Sequence, residues 1–597
     1  MKLLSRLFFC GALALVAATV PAAEPKVLRY AFNTAETGFD PSRIVDLYSR
    51  IVTSHIFESL YTYDHLARPA KIKPMLADGM PEVSADFRTW TVKVKRGVYF
   101  ADDPAFKGSK REVTAADFVL TFKRPVDPAN KSPIVAGVLD LKIIGLNALR
   151  EKALKDRKPF DYDSEIEGLR ALDRYTVQFK LEEPRPRFLN TLAAADLFGA
   201  QAREVMDKYG EDLPAHPVGT GPFRLAQWRR SSLIALERNP DYREVLYDAE
   251  PAPDDAEGQA LLRQFKGRRL PMVDRVEISI IDETQPRWLA FLNKQLDFIN
   301  VPSEFVNLAM PNGVVAPNLA KQGIRAQRVL NPDSAFSYFN MDDPVVGGYT
   351  PDRVALRRAI ALGTDLDRII SALYRNQALR AQSISAPNTT GYEAGFKSEN
   401  SEFDPARANA LLDLYGYVDK DGDGWRDRPD GSPLQLEVAT QPDQLSRQKD
   451  ELIRKDMDRL RIKVTFKSAK WPENLKAARA GKLQIWSLGS SADTDDGQSA
   501  LARLYGPQAG SQNLAFFKNK EFDEIYERMQ VIPDGPEREA LFRRAKLISV
   551  AYMPYKLWVH RYSNDLVQPW LLGYRRSLFW QEWWHMVDID NSKRPPK

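Results

Sequence analysis

Apolar positions at Val27, Leu28, Tyr30 and Phe32 of KVLRYAF alternate with polar ones, a spacing that predicts an early strand. In the following DLYSRIVTSHIFESLYTYD, Leu47, Ile51, Ile56, Phe57 and Leu60 recur at helical intervals and predict a helix. Trp90, Val92 and Val94 of RTWTVKVKRGVYF alternate with charges, as a half-exposed strand requires. A further helix is expected from TAADFVLTFKR, with Thr114 as cap and Asp117 in the first turn, where the helix dipole favours a carboxylate. The stretch from Asp127 to Asp173 is charged and helix-prone and carries no chemical motif. HPVGTGPFRL, residues 216–225, reads as a tight loop entering a strand: Gly219 and Gly221 permit backbone conformations closed to other residues, and Pro217 and Pro222 stiffen the flanks. It contains neither glycine-rich phosphate-binding pattern, so a structural turn is the expectation.

The amino-terminal end changes the picture. Lys2 and Arg6 precede the apolar run LFFCGALALVAATV, which closes on small residues around Val20, Ala22 and Ala23. These are the parts of a secretory signal peptide, residues 1–23, with cleavage expected near Ala22 or Ala23. The run of 14 residues falls short of the roughly 20 needed to cross a bilayer, and no later stretch is long and uncharged enough. A lipid anchor at Cys10 is disfavoured because Leu7, Phe8 and Phe9 precede it where a small residue is needed. Cys10 is the only cysteine, so the processed chain has no disulfide framework and must rely on a large core. Its 44% hydrophobic and 10% aromatic content suits several packed domains. With Lys2 and Arg6 removed, 85 basic residues become 83 against 80 acidic ones, a net charge of +3 with the signs interspersed. That balance gives no nucleic-acid footprint.

Enzyme signatures are missing as well: there is no H-E-x-x-H pair and no G-x-S-x-G elbow, and His55, His65, His216, His560 and His585 lack metal-ligand spacing. Carboxylates are plentiful enough for an exported glycoside hydrolase, whose acid pairing sequence cannot show. DKDGDGWRDRPD sets Asp419, Asp421, Asp423, Asp427 and Asp430 at calcium-loop positions 1, 3, 5, 9 and 12. Position 12 is not the usual glutamate, and SPLQLEVAT after it predicts a strand rather than an exiting helix, so structural calcium competes with a plain turn. No other cofactor is expected.

Taken in order, IFESLYTYD, PMLADGMPEVSADFRTWTVKVKRGVYF, TAADFVLTFKR, PVGTGPFRL and RNPDYRE resemble the family 5 extracytoplasmic solute-binding proteins, the group of oligopeptide-, dipeptide- and nickel-binding proteins. QPRWLAFLNKQLDFI with Asp297, SAFSYFNM, DRVALRRAIALGTDLDRII, DPARANALLDLYGY, FFKNKEFDEIYERM and DLVQPWLLGY continue the series over nearly the whole processed chain. The resemblance implies an α/β fold: a two-lobed clamshell of the type II periplasmic class, with an extra domain inserted in lobe I. Lobe I would comprise residues 24–64, 216–330 and 560–597, the extra domain 65–215 and lobe II 331–559, with the hinge at the crossings near 330 and 560. The implied function is capture of an oligopeptide or other small solute in the periplasm, without catalysis, by a monomer that serves an inner-membrane ABC permease. A metal chelate, a haem and a cell-wall peptide are alternative solutes.

In peptide-binding members a lobe II aspartate pairs with the ligand's amino terminus, and QIWSLGSSADTDDGQS is the matching region here. Asp493 is the best match, Asp496 stands where a second aspartate is common, and Ser490-Ser491 replaces the usual Trp-Gly. Tyr338, Phe339 and Asn340 on one expected hinge strand and Trp558 on the other are further ligand-binding candidates, as aromatic walls and main-chain anchors for an extended peptide. The aromatic run FWQEWWHM near the carboxyl end is expected to pack the last strands onto lobe I.

Overall fold

The computed structural model describes residues 24–44 and 46–595, so the expected signal peptide, residues 1–23, lies outside the described residues. A mixed sheet opens lobe I, in the strand order Val27–Phe32, Arg275–Ile280, Leu233–Arg238, Phe223–Arg229. The first pair is parallel and the rest antiparallel. Its apolar face packs on the helix Leu47–Ile56, whose amino end is held by Asp46 accepting from Ser49 N–H at 2.8 Å. The helix is shorter than its periodicity suggests. It stops before Phe57, and the chain turns into the short strand Tyr61–Tyr63 while Phe57 and Leu60 stay buried in neighbouring cores.

A second, antiparallel sheet orders Glu82–Val83, Thr89–Lys93, Thr176–Lys180 and Leu169–Asp173, and carries the extra domain. The helix Ala115–Lys123 packs on it, and Asp117 reaches back to accept from Thr114 N–H at 2.7 Å while also gripping Arg111 at 2.7 Å. Its core includes Phe579 and Trp580 from the far end of the chain, with Trp580 stacked on Tyr63 at 5.2 Å. The carboxyl-terminal aromatic run therefore splits: Trp583 and Trp584 pack in lobe I, and Phe579 and Trp580 in the extra domain.

Gly219 and Gly221 have ordinary negative φ, so conformational freedom is not why they are glycines. A Cβ on Gly219 would stand 2.0 Å from the Ile56 carbonyl oxygen, and one on Gly221 2.7 Å from it. The loop presses backbone to backbone on the helix end, which only glycine allows.

The third sheet belongs to lobe II and also ties the lobes together. Asp333–Phe339 pairs antiparallel with Ile485–Ser491, and Gln435–Thr440 lies parallel to both Ile485–Ser491 and Lys463–Ser468. The thirteen-residue strand Tyr555–Val567 pairs along one half with Asp333–Phe339 and along the other with Arg325–Leu330 and Phe298–Asn300. One continuous strand thus runs from lobe II into lobe I, opposite two collinear strands that meet at Asn331-Pro332. Asp333, almost fully buried, fixes this junction: its carboxylate accepts from Arg561 N–H and Nε, both at 2.9 Å, and Asn331 N–H donates to the Arg561 carbonyl at 2.9 Å. Asp297 plays a similar part in lobe I, accepting from Arg29, Arg594 and the Trp570 indole, which joins the first strand to the carboxyl terminus.

In the Asp-Gly loop, carboxylate oxygens of Asp419, Asp421 and Asp423 gather within 4.8 Å of one another. Asp427 is buried, accepting from Lys420 N–H at 2.8 Å, and Asp430 accepts from Ser432 N–H at 2.9 Å, so neither joins that group.

Candidate functional site

Between the lobes lies a cavity of about 960 Å³. Lobe I contributes Tyr30, Tyr48, Arg287 and Phe298, the hinge contributes Asp333, Trp558 and Arg561, lobe II contributes Lys449, Ser491 and Asp493, and the chain end contributes Phe579, Trp580 and Trp583. Aromatic rings make apolar walls whose polar edges remain available to a ligand. A smaller cavity of about 470 Å³ adjoins the first, sharing Phe336, Ser491, Ala492 and Asp493 and adding Asp140 of the extra domain and Arg503 of lobe II.

Asp493 sits where the two cavities meet, with its carboxylate mostly exposed and 3.5 Å from Arg50 on the Leu47–Ile56 helix. Arg50 also pairs with Asp196 at 2.5 Å. Burial works against the Arg50 charge, but these two carboxylates hold its guanidinium above the ordinary arginine range. Ser490, beside the smaller cavity, accepts a hydrogen bond from Arg503. Trp558 lines the larger cavity with its indole N–H unpartnered among the described residues.

The other sequence candidates have different places. Asp496 is claimed by two arginines, Arg538 at 2.6 Å and Arg187 of the extra domain at 3.0 Å, and does not line either cavity. Tyr338 and Phe339 are buried in separate lobe II cores. Asn340 is buried too, donating to the Gly481 carbonyl at 2.9 Å and accepting from Asp342 N–H at 3.1 Å. These three side chains serve packing and chain turning rather than the cavity.

Sequence reasoning missed the residues that close the far rim. Arg187 donates to the carbonyls of Met529, Gln530 and Ile532 at 2.6, 3.0 and 2.9 Å, capping the carboxyl end of the helix Lys520–Val531. Asn190 donates to Asp495 at 3.2 Å, and burial holds the Asp495 carboxyl above its ordinary range. Arg50, Arg187 and Asn190 thus converge on one lobe II loop, 493–498. No periodicity marks them, because each partner lies hundreds of residues away.

Two α/β lobes, one carrying an inserted domain, are joined by paired hinge strands and close over an aromatic cavity: this is the architecture of a clamshell solute-binding protein. Residues 71–512 match the bacterial extracellular solute-binding proteins, family 5 Middle, and the chain belongs to that family. It is 26% identical over 578 residues to Di/tripeptide-binding protein 2 of Pseudomonas aeruginosa, covering 95% of each chain. It is 24% identical to Heme-binding protein A of Haemophilus influenzae, covering 94% of this chain and 92% of the other. Among solved structures it resembles the periplasmic binding protein DppA of Helicobacter pylori in complex with the peptide STSA, with a TM-score of 0.70, 21% identity, and coverage of 94% of this chain and 98% of that one. Among the described residues no helix is long and apolar enough to cross a membrane.

Proposed function

We propose that the protein captures short peptides in the periplasm, after removal of its signal peptide, and delivers them as a monomer to an inner-membrane ABC permease, without catalysis. The observation that carries this reading is the 960 Å³ cavity between the lobes, with an exposed carboxylate, Asp493, at its end. Pockets for small ligands run to roughly 300–1,000 Å³, so the volume suits a few residues of peptide rather than a long chain. Asp493 accepts the peptide's ammonium group in a charge-assisted hydrogen bond, and the aromatic wall takes side chains. The peptide-binding relative in Pseudomonas aeruginosa supports the same ligand class.

The haem-binding relative raises a second solute. Among the described residues the larger cavity is lined by no histidine, methionine or cysteine, and His560 is turned into the hinge with Nδ1 2.6 Å from the Asp333 carbonyl oxygen, which supports peptide over a metal held by those ligand types. Glycoside hydrolysis finds little support: of the four carboxylates lining the larger cavity, Asp333 is committed to Arg561, Asp443 to the amino end of the helix Gln444–Arg459 and Asp493 lies against Arg50, which leaves Glu304 alone without an ion partner among the described residues.

Native mass spectrometry of gently purified protein, followed by denaturation, tests the proposal. Released peptides support it. A single non-peptide species, a haem or a metal chelate, overturns the ligand while leaving the clamshell intact.

A further inference from the structure

The charged side chains lining the large cavity differ in how they are balanced. Arg561 is paired with Asp333 at 2.9 Å, and Arg576 with Asp565 at 2.9 Å. Lys449 has no carboxylate within 4.0 Å among the described residues and burial lowers it below the ordinary lysine range, but it is only half-buried. Arg287 is the more enclosed of the two unpaired cations. It is 7% exposed, and among the described residues no carboxylate oxygen lies within 4.0 Å of it. Its Nη1 donates to the carbonyls of Ile281 at 2.7 Å and Asp282 at 3.2 Å, which fixes the plane of the guanidinium. Nε and Nη2 have no hydrogen-bond partner among the described residues and are not sealed from solvent, so they open onto the cavity. Burial pulls the group below the ordinary arginine range, with Tyr48, Glu304 and Asp282 supporting its charge only from a distance.

A largely enclosed guanidinium without a counter-ion keeps its charge at some cost, and the cost falls when an anion completes it. The unfilled edge of the fork presents parallel N–H groups, the geometry that grips a carboxylate with two hydrogen bonds. The local backbone adds to this. Arg287 lies in the first turn of the helix Thr284–Leu292, the N-cap Glu283 makes no side-chain cap, and Thr284 also lines the cavity. The positive end of the helix dipole therefore reinforces the same potential.

Building on the peptide reading above, we propose that Arg287 is the receptor for a carboxylate of the bound peptide, holding it against the lobe I wall. A peptide offers two sources of that group, its terminal carboxylate and an acidic side chain. Calorimetric titration of the wild type, Arg287→Gln and Arg287→Lys with Ala-Ala-Ala, its carboxyl-terminal amide, Ala-Glu-Ala and Ala-Gln-Ala separates them. The wild type is expected to lose about tenfold or more in affinity on amidation if the terminus is the partner, or on exchanging Glu for Gln if the side chain is. In Arg287→Gln that preference disappears, because the charged and neutral peptides then meet the same uncharged side chain. Arg287→Lys keeps the charge, and so the fold if the glutamine variant loses it, and should retain only part of the preference because ammonium lacks the fork. A general structural defect would weaken all four peptides alike and leave the preference standing, which overturns the assignment. So does a wild type indifferent to both changes while still binding peptide, an outcome that leaves the peptide reading intact. If none of the four peptides binds the wild type, the peptide reading falls and this assignment with it.

Discussion

The hinge and the rim join the lobes in different ways. At the hinge, a single strand, Tyr555–Val567, is hydrogen-bonded to strands of both lobes, and Asp333 ties its middle to the crossing at Asn331-Pro332. At the rim, Arg50, Arg187 and Asn190 reach the 493–498 loop through side chains alone. Backbone ladders persist through a rotation that a few element-terminal residues absorb, whereas side-chain pairs break and are rehydrated when the lobes part. The hinge therefore contributes to the stability of the whole chain. The rim contributes to the balance between open and closed forms, and it is this balance that a ligand bound between the lobes shifts.

The largest effect should come from breaking the hinge. In Asp333→Ala, Arg561 loses both its ion partner and the acceptor of its backbone N–H. Because the Arg561 side chain is 41% exposed, the expected loss is about 3 kcal/mol, at the low end for a broken buried pair. Urea denaturation of the ligand-free protein measures it. An unchanged midpoint would mean that the ladder alone holds the junction, and the contrast with the rim would lose its basis.

Next comes Glu582, behind the rim, whose carboxyl is influenced by the Asp196 that pairs with Arg50. Burial, with Asp196 adding to it, pushes the Glu582 carboxyl from its ordinary 4.5 up to about 7, against the opposing pull of Gln581 N–H at 2.9 Å and Thr62 Oγ1 at 3.5 Å. Its folded form binds the proton more tightly than its unfolded form. Stability therefore declines as pH rises from about 4.5 to about 7, and levels off above that. The full shift corresponds to about 3 kcal/mol, and partial exposure reduces the expectation to about 2 kcal/mol. Glu582→Gln should remove this slope, leaving a chain more stable than the wild type at pH 8 and equal to it at pH 4. Parallel pH profiles for the two proteins would show that Glu582 remains ionised in the folded chain and reaches water.

How much of this could be read beforehand follows from where each signal resides. Strands such as Thr89–Lys93 and Gln435–Thr440 were legible because one face is polar, and the ordered blocks pointed to the right family. The hinge strand bearing Trp558 was expected only through the family resemblance, not from its own pattern. It buries Lys556, His560, Asn564 and Asp565 among its apolar residues, and their partners, including the Asn400 carbonyl for Lys556 and Arg576 for Asp565, are invisible to any local pattern. The helix through Leu47 was placed correctly but drawn too long, since Phe57 and Leu60 are buried without being helical. Tyr338 and Phe339 drew attention as aromatics on a hinge strand. That strand is covered on both faces, so alternation says nothing about which side meets the cavity, and its lining residues prove to be Asp333, Ala335 and Phe336. For the aspartate-rich loop the residue types were right and their division of labour was not: Asp493 faces the cavity, while Asp496 is consumed by arginines.

Removing Arg187 tests the rim more gently. Arg187→Ala deletes the contacts to Asp496 and to the end of the Lys520–Val531 helix, yet Asp496 keeps Arg538 and the freed carbonyls can take water. Global stability should fall by about 1–2 kcal/mol, less than at the hinge although the pair is mostly buried, because Asp496 keeps Arg538 as a partner. The lobes should open more readily, speeding release of a bound peptide by about tenfold, or about 1.4 kcal/mol on the closed form. Stopped-flow release together with a larger radius of gyration in X-ray scattering would establish this. A large fall in the denaturation midpoint with unchanged release would reverse the roles assigned to rim and hinge.

The smallest effect is expected at the Asp-Gly loop, remote from both. Its aspartates already have donors: Asp419 accepts from Gly422 and Gly424 N–H at 2.7 and 2.9 Å, Asp421 from Asp423 N–H at 3.0 Å, and Asp423 from Trp425 N–H and Lys463 Nζ, both at 2.8 Å. The Lys463 ammonium occupies one of the three converging carboxylates, and Asp427 and Asp430, which would complete a calcium shell, are engaged elsewhere. To bind, calcium would have to displace a lysine and recruit ligands from outside the group, all at an exposed turn where hydration competes. Adding millimolar calcium to chelator-treated protein should therefore leave the melting temperature unchanged. A rise of several degrees, abolished in Asp421→Asn, would instead make this turn a metal-held element of lobe II and add a third determinant of stability beside hinge and rim.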